Sequence, residues 1–441
     1  MLLERKKDMR ELAQMLRKEL KVFEAYGLDQ EVESEIFAPL QKRLNGMPLR
    51  AYFVQKTFQI IHSKLTWNKK AQLTVSRKSP VFLVKIPFIF ELIITIQYLH
   101  NQILDKKDGV DSIEKISRNL LTANLLKDYL YQYINDQFSG NFQKKLFNTV
   151  RKAFAYVDIG QMLEKRHNNY AAFSKAEYMG DYSFSKEIDT FISFEGMEVF
   201  MESLQKDLPR EKWEFTELYL KRMYLTCAAL FKLSTLFLCD VLNVPNKEKK
   251  ELVNFAATYG LMRQLINDNA DFVPSSYGLS TLSKSTEDAF SDLKNRNITL
   301  PLIFHLSESP NSTIKQWLVN DKEALNLQMQ QSFSKELMHS HAIFKSIQQS
   351  RLLSVIANSY LQTKPCKAKN LLADTCQIAW WNKFLFAFVK TTAYKGFKKT
   401  PYYSKMKKIM KGHQYDEVLE ETFTKEKWIY TTEKKWLLIL D

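Results

Sequence analysis

The 441-residue sequence has few of the residues that interrupt helices and few of those that hold small domains together. Gly and Pro number only 11 each, well below their average usage of roughly 7% and 5%. The four Cys form no CxxC pair and no Cys/His cluster of metal-ligand spacing. A disulfide scaffold and a zinc site are therefore excluded, and a reducing cytoplasm is expected.

Acidic residues are also the minority among the charged ones, with 49 Asp and Glu against 64 Lys and Arg. The resulting net charge of +15 favours an anionic partner, either a phosphorylated metabolite, a lipid surface or a nucleic acid. Charge alone does not choose among these three.

Apolar residues spaced three and four apart dominate the chain and predict long helices. We expect helices over residues 1–27, 30–63, 81–105, 112–137, 141–167, 186–207, 212–243, 247–271, 299–308, 313–331, 333–362 and 368–393. The N-terminal pattern is charged and amphipathic, which does not fit a signal peptide. The apolar stretch 81–104 contains Lys85, Pro87, Glu91 and His100 and fits a buried core helix better than a membrane span.

The most informative polar pattern lies at the end of the segment 247–271. Gln264, Asn267, Asp268 and Asp271 share one helix face through three- and four-residue steps. Grouped carboxylate and amide oxygens are the ligands that a magnesium ion bridging a diphosphate needs. The spacing therefore predicts a site for Mg²⁺ and a diphosphate.

The stretch 259–271 with 292–303 resembles the second aspartate-rich motif of the trans-isoprenyl diphosphate synthase (polyprenyl synthetase) family. That motif reads Gly-x-x-Phe-Gln-x-x-Asp-Asp-x-x-Asp and is followed by Asp-Leu-Arg-x-Gly-Lys-x-Thr-Leu-Pro. Asn267 stands where the first Asp belongs, while Asp268 and Asp271 match the other two. Asn297 replaces the downstream Lys, beside Arg296.

An upstream stretch, 90–105, resembles the family's first motif, Glu-Leu-x-His-x-x-x-Leu-x-His-Asp-Asp-x-x-Asp. Asn101 and Gln102 replace two aspartates, and Asp105 keeps its carboxylate. The Arg-Arg-Gly that follows in the family is missing here, and Lys106 and Lys107 are the nearest cations.

Three shorter stretches extend the resemblance over about residues 40–310. Gln161 lies in a segment similar to Gly-Gln-x-x-Asp, with Glu164 in place of the Asp. Thr226 lies in a segment similar to Lys-Thr-x-x-Leu-Phe, in which Leu225 replaces the lysine. Arg50 is the one cation kept from a Gly-Gly-Lys-Arg-Leu-Arg segment, where Met47 takes the place of the lysine.

The resemblance implies an all-α fold, a large helical bundle of the isoprenoid synthase (class I terpenoid synthase) type. We expect this domain over residues 1–365, with a C-terminal helical and basic extension over 366–441. In the family, carboxylates on two facing helices hold Mg²⁺ ions that draw the diphosphate from an allylic substrate, and apolar walls protect the carbocation.

Carried over residue by residue, the resemblance implies the following site. The catalytic carboxylates are Asp105, Asp268 and Asp271. The metal ligands are Asn101, Asp105, Asn267, Asp268 and Asp271. The substrate-binding residues are Arg50, Lys106, Gln161, Thr226, Gln264 and Arg296.

Two functions follow from this partly altered site, and the sequence leaves both open. The first is a Mg²⁺-dependent enzyme, a divergent prenyltransferase or class I terpene synthase, that acts on an allylic isoprenyl diphosphate by prenyl transfer or by ionisation and cyclisation. The second is a non-catalytic prenyltransferase-like subunit or prenyl-binding protein. The implied partners are an isoprenyl diphosphate and either a second copy or an active synthase, in the cytoplasm or at a membrane surface.

The segment 394–411 interleaves seven lysines with Tyr394, Phe397, Tyr402 and Tyr403. Such a pattern suits contact with an anionic membrane surface or with nucleic acid. Nucleic-acid binding ranks last, because nothing in the chain resembles a reading helix or an RNA-binding module. An acidic helix is expected around 416–421, and the loops 168–185 and 274–288 are expected to act as lids.

Overall fold

The computed structural model describes residues 2–23, 30–64, 80–105, 112–175, 185–272, 289–309, 311–320, 324–361, 367–380 and 391–412. Within these residues all regular structure is helical, apart from an isolated bridge between Asn169 and Asn297. The prediction of an all-α fold is confirmed. Several predicted features lie outside the described residues: Lys106, Lys107, residues 176–184 of the first expected lid loop, the whole of the second, 274–288, and the expected acidic helix.

The helices run in chain order as follows: α1 Leu2–Leu20, α2 Gln30–Asn45, α3 Leu49–Lys64, α4 Ile86–Asp105, α5 Ile113–Gln137, α6 Gly140–His167, α7 Tyr170–Ser174, α8 Lys186–Ile192, α9 Glu195–Gln205, α10 Trp213–Met223, α11 Ala229–Val241, α12 Asn246–Ala270, α13 Ser291–Lys294, α14 Leu300–Glu308, α15 Thr313–Val319, α16 Leu327–His339, α17 Ala342–Ser359, α18 Lys367–Trp380, α19 Thr392–Phe397 and α20 Pro401–Gly412. Two π-helical turns, Val81–Lys85 and Tyr224–Ala228, lead into α4 and α11.

Several predicted boundaries are wrong, and capping side chains explain two of them. The helix expected over 313–331 ends at Val319, and a new one begins after Asn326, whose side chain accepts a hydrogen bond from the Met329 amide. The helix expected over 368–393 does not run unbroken to its end, because Thr391 is extended and caps the helix that begins at Thr392 by accepting from the Tyr394 amide. A short polar side chain that bonds the exposed amides of a first turn defines a helix start more sharply than apolar spacing does.

The chain forms two compact units, each made of several chain segments. The first unit contains Met1–Gly160, Leu225–Gly260 and Leu361–Thr375, and the second contains Gln161–Tyr224, Leu261–Tyr360 and Cys376–Asp441. These segments do not follow the expected division at residue 365, and the domain assignment stays a prediction.

The core of the first unit is built around α3, α4, α5 and α11. Phe53 stacks on Tyr259 with ring centroids 5.2 Å apart and meets Phe231 edge-on at 4.8 Å. Glu91 on α4 is fully buried, where it pairs with Arg43 at 2.9 Å and accepts a hydrogen bond from the Ala51 amide in the first turn of α3. A carboxylate at a helix N-terminus accepts hydrogen bonds from amides that lack a helical partner. Its negative charge also interacts favourably with the positive end of the helix dipole.

Gly260 permits a close approach between two helical segments of this unit. A Cβ atom at this position would lie 2.5 Å from the Cα of Ala228. Only glycine therefore lets α12 pass the π-helical turn that precedes α11.

Two helical stretches, Val81–Asp105 and Arg210–Val241, have the length and apolar composition of membrane spans. Within their most apolar windows, 67% and 72% of the residues are buried inside the protein. Buried core helices meet the same criterion of length and apolar composition as membrane spans.

Candidate functional site

The second motif lies in the second unit, where the last two turns of α12 present Gln264 and Asp268 on one face. Gln264 Nε2 donates to Asp268 Oδ1 at 2.7 Å, and the Tyr219 hydroxyl on α10 donates to Asp268 Oδ2 at 2.6 Å. Asp268 is only 1% exposed. Both oxygens of this carboxylate therefore already accept hydrogen bonds from protein donors.

The Tyr219 hydroxyl is held in its protonated, donating form. Burial, and then the charge of Asp268, raise the pKa of Tyr219 well above the ordinary value. A hydrogen bond from a buried hydroxyl to a carboxylate is stronger than one between neutral groups. The pair thus stabilises the charge of Asp268 inside the protein.

A buried guanidinium lies beside this pair. Arg222, one helical turn after Tyr219, donates to Glu164 at 2.9 Å with a side chain that is 3% exposed. Burial lowers the pKa of Arg222, but the carboxylates of Glu164, Asp268 and Asp292 and the hydroxyl of Tyr219 outweigh burial and raise it. The positive field of Arg222 therefore compensates part of the negative charge at Asp268.

Asp271, immediately after α12, acts as a distant cap for α13. Its Oδ1 accepts from the amide and the hydroxyl of Ser291, both at 3.0 Å, and its Oδ2 accepts from the Asp292 amide at 2.9 Å. The backbone oxygen of Asp271 accepts from the Phe290 amide at 3.0 Å. Asp271 is 0% exposed, and its side chain fixes the backbone of residues 290–292.

The segment after α13 is fixed in the same way. The Ile298 amide donates to the Asn168 carbonyl at 3.1 Å, and Asn297 Nδ2 lies 3.4 Å from Glu164 Oε1. Arg296 has a left-handed backbone, and its guanidinium donates to the carbonyls of Leu318 at 2.6 Å and Asn320 at 3.2 Å. The Arg296 guanidinium thus donates to backbone carbonyls of the protein. A role for Arg296 in substrate binding stays a prediction.

The first motif lies in the first unit, at the C-terminal end of α4. Asn101 and Asp105 are half-buried, and Gln102 is buried, where its side-chain oxygen accepts from Asn119 at 3.2 Å. Burial lowers the pKa of His100, while Asp158 opposes this change. His100 is therefore neutral at neutral pH, and Asp105 is the only carboxylate among these motif positions.

The other predicted substrate contacts are divided between the units. In the first unit, the Arg50 guanidinium lies 4.6 Å from the centre of the Phe231 ring, and Thr226 packs against Gly160, where a Cβ atom would lie 2.7 Å from the threonine methyl. Leu225, where the family has a lysine, is fully buried. In the second unit, Gln161 is buried and Asn267 is half-buried.

The second motif was also expected to supply ligands for Mg²⁺. Mg²⁺ in proteins is held by carboxylate oxygens together with phosphate and water. In the second unit, five protein donors already bind the four oxygens of Asp268 and Asp271. Among the residues that the structure describes, no group of three or more His, Cys, Asp or Glu side chains is arranged to hold a metal ion. The described carboxylates of the motif are thus engaged with protein donors, and the assignment of metal ligands stays a prediction.

Tyr219, Arg222 and Ser291 were not among the residues predicted from the sequence. One signal was available, because Arg222 is a cation in a strongly apolar stretch, and a buried cation requires a carboxylate partner. Nothing in the sequence pattern places Ser291 next to Asp271, since the two are 20 positions apart in the chain.

No protein-family model and no curated protein matches the sequence. Solved structures do resemble this one. The polyprenyl synthase from Caulobacter crescentus CB15, solved with calcium and isoprenyl diphosphate, shares 15% identity, with a TM-score of 0.58 over 86% of this chain and 97% of that one. Heptaprenyl diphosphate synthase from Staphylococcus aureus shares 16% identity, with a TM-score of 0.58 over 85% and 98% of the two chains.

The geranylgeranyl pyrophosphate synthetase from Pyrococcus horikoshii Ot3 gives the same result, with 15% identity and a TM-score of 0.57 over 86% of this chain and 98% of that one. The predicted isoprenoid synthase fold is therefore confirmed. At such low identity the likeness concerns the fold, because one fold supports many functions.

Proposed function

We propose that this chain acts in isoprenoid metabolism as a binding protein for an isoprenyl diphosphate, and that it does not ionise the bound diphosphate with the help of metal ions. The observation that carries this proposal is the hydrogen bonding of Asp268 and Asp271. Their four oxygens accept from Tyr219, Gln264, Ser291 and Asp292, so the second motif is used to hold the fold together.

The charge of the motif supports the same conclusion. Replacement of a carboxylate by an amide, as at Asn101, Gln102 and Asn267, removes a negative ligand that a divalent cation needs. The neighbouring Arg222 adds positive charge near Asp268 and opposes the approach of a second cation. Weak binding of Mg²⁺ follows from both effects.

Binding of the ligand is supported by the fold and by Arg50. This residue is the cation kept from the segment that resembles a diphosphate-binding motif, and its half-buried guanidinium is held over Phe231. A guanidinium binds phosphate oxygens through two parallel hydrogen bonds. The hydrocarbon chain of the ligand requires an apolar environment, which long apolar helices supply.

The experiment measures binding and turnover separately. Geranyl, farnesyl and geranylgeranyl diphosphate are each titrated by calorimetry in EDTA and in MgCl₂, and pyrophosphate release is assayed beside a complete synthase. We expect binding of at least one of the three with the same affinity in both buffers, and no pyrophosphate release. Magnesium-dependent release that disappears in a folded Asp268→Asn variant would overturn the proposal in favour of a prenyltransferase or terpene synthase.

Arg50→Gln tests the ligand contact. Loss of a charged hydrogen bond of roughly 1.5–3 kcal/mol should weaken binding about tenfold or more. Arg10→Gln, at an exposed position in the same unit, is the control and should leave affinity unchanged. Equal affinity of the Arg50 variant and the wild type would exclude Arg50 as a ligand contact.

A further inference from the structure

The helices α19 and α20 carry charge of one sign only. Residues 391–412 contain seven lysines and no Asp, Glu or Arg. Both helices belong to the second unit. The segment therefore has no acidic side chain of its own to neutralise its lysines.

The aromatic residues of this segment face the interior of the unit. Tyr394 and Phe397 are 6% and 0% exposed, and their rings lie 5.3 and 5.5 Å from that of Phe344 on α17. On α20, the Tyr402 hydroxyl accepts from Gln349 at 3.0 Å, and Met406 is fully buried. The inward side of both helices is thus held against the core by aromatic and apolar packing.

Four lysines of the segment are exposed to solvent. Lys395, Lys399, Lys407 and Lys408 are exposed, and Lys407 and Lys408 share one face of α20 with Ser404 through three- and four-residue steps. Of the remaining described lysines, Lys405 pairs with Asp207, and Lys398 lies 5.2 Å from the Tyr394 ring. We refer to Lys395, Lys399, Lys407 and Lys408 as the basic face.

We propose that the basic face docks this protein on an anionic membrane surface. Each lysine close to such a surface contributes about 1 kcal/mol, so four together contribute up to roughly 4 kcal/mol before the loss of mobility is subtracted. The packing of Tyr394, Phe397 and Met406 holds both helices against the core and leaves the four ammonium groups exposed to solvent. Docking there would place the protein where the hydrocarbon chains of isoprenyl ligands dissolve.

The same observations disfavour nucleic acid as the partner. Proteins that bind single strands stack bases on exposed aromatic rings, and the rings of Tyr394 and Phe397 are buried. Recognition of base edges and phosphates relies heavily on arginine, which the segment lacks. Exposed lysine ammonium groups suit a diffuse layer of lipid phosphates and carboxylates.

The test is sedimentation of the full chain with vesicles. We expect binding to phosphatidylcholine vesicles that contain phosphatidylserine, no binding to pure phosphatidylcholine vesicles, and loss of binding as salt rises. Replacing Lys395, Lys399, Lys407 and Lys408 together by Gln should reduce binding at least about tenfold. A control variant with Lys144, Lys145, Lys247 and Lys250 replaced by Gln removes the same charge from other exposed positions and should retain most of the binding.

Several outcomes would overturn the proposal. One is an equal loss of binding in both quadruple variants, since this would be an effect of net charge alone. Another is binding of the first variant equal to that of the wild type, with both having the same midpoint of urea unfolding. Tighter binding of the wild type to single-stranded RNA than to anionic vesicles would assign the basic face to nucleic acid instead. None of these readouts depends on whether the chain binds an isoprenyl diphosphate.

Discussion

The side chains around Asp268 determine what this carboxylate can do. Burial raises the pKa of a carboxylate that has no partners, and the group then becomes protonated and neutral. Here the Tyr219 hydroxyl and the Gln264 amide bind its two oxygens, and the Arg222 guanidinium contributes a nearby positive charge. Three neighbouring side chains thus stabilise the carboxylate of Asp268 inside the protein.

Tyr219→Phe should therefore destabilise the protein more than an ordinary Tyr→Phe substitution in the core. Removing a donor to a buried carboxylate costs about 2–3 kcal/mol in the free energy of unfolding. Tyr224→Phe is the control, since the Tyr224 hydroxyl donates at 3.2 Å to the neutral carbonyl of Phe191, and we expect a loss of only about 1 kcal/mol. Urea unfolding measures both, and equal losses would contradict a charge-assisted bond at Asp268.

Gly260→Ala tests the close approach of α12 to the π-helical turn. A Cβ atom 2.5 Å from the Ala228 Cα cannot be accommodated without a backbone shift, and we expect a loss of about 1–3 kcal/mol in the free energy of unfolding. Gly396→Ala is the control, because the nearest atom to its added Cβ is the far end of a histidine side chain at 3.8 Å. This second substitution should be neutral or slightly stabilising, and a larger loss there than at Gly260 would contradict the packing described.

At the scale of elements, Asp271 connects the end of α12 to α13 across 20 positions of the chain. Its carboxylate accepts hydrogen bonds from two amides in the first turn of α13, as a local capping residue would, and a third from the Ser291 hydroxyl. The segment that follows then reaches Asn168 through the Ile298 amide. The polar residues of the motif thus organise residues 289–298 around the end of α12.

Asp271→Ala should release this segment while most of the unit stays folded. We expect hydrogen exchange at the Ser291 and Asp292 amides to become at least about tenfold faster, which corresponds to the loss of one or two hydrogen bonds of roughly 1 kcal/mol each. Ser312→Ala removes the cap of α15 in the same unit and should accelerate exchange in α15 alone. Unchanged exchange at Ser291 in the Asp271 variant would contradict the capping role.

The sequence predicts the elements of this protein better than it predicts their ends or its site. Long amphipathic helices such as α5 and α6 follow from apolar spacing, because one face of each must be buried. The break at 193–194 inside the expected helix 186–207 follows no such spacing, since Ser193 and Phe194 leave the helical conformation between α8 and α9.

Gln264 and Asp268 were predicted correctly as neighbours on one helix face, whereas Asp271 lies just beyond the end of that helix. The partners of both carboxylates were not predicted. Tyr219 precedes Asp268 by 49 residues, and Ser291 follows Asp271 by 20. Contacts over such separations depend on tertiary packing, and the periodicity of a single helix carries no information about them. The same pattern therefore fits a metal site and a structural network equally well.

At the scale of the whole molecule, buried histidines make stability depend on pH. His305 on α14 is 1% exposed, with its ring nitrogens 2.9 Å from Glu336 and Ser340. Burial lowers the pKa of His305, while the hydrogen bond to Glu336 opposes this change. Burial also lowers the pKa of His100 and His341.

The sign of the effect follows from linkage. A histidine whose pKa is lower in the folded state binds fewer protons than it does in the unfolded chain, so the free energy of unfolding falls as pH drops below the ordinary value near 6.5. We expect the urea midpoint to fall between about pH 7 and pH 5. His305→Gln should reduce the slope of this fall, although it lowers stability at every pH, and a slope equal to that of the wild type would contradict the contribution of His305.

We conclude that the second motif stabilises the fold. The most direct test of this conclusion is to measure the free energy of unfolding of the Asp268→Asn variant in EDTA. Carboxylates grouped to hold a metal repel one another in its absence, so neutralising one of them stabilises the protein. A carboxylate that accepts bonds from Tyr219 and Gln264 is instead needed by the fold. We expect the free energy of unfolding to fall by about 1–3 kcal/mol, and a variant more stable than the wild type would contradict the structural role of Asp268.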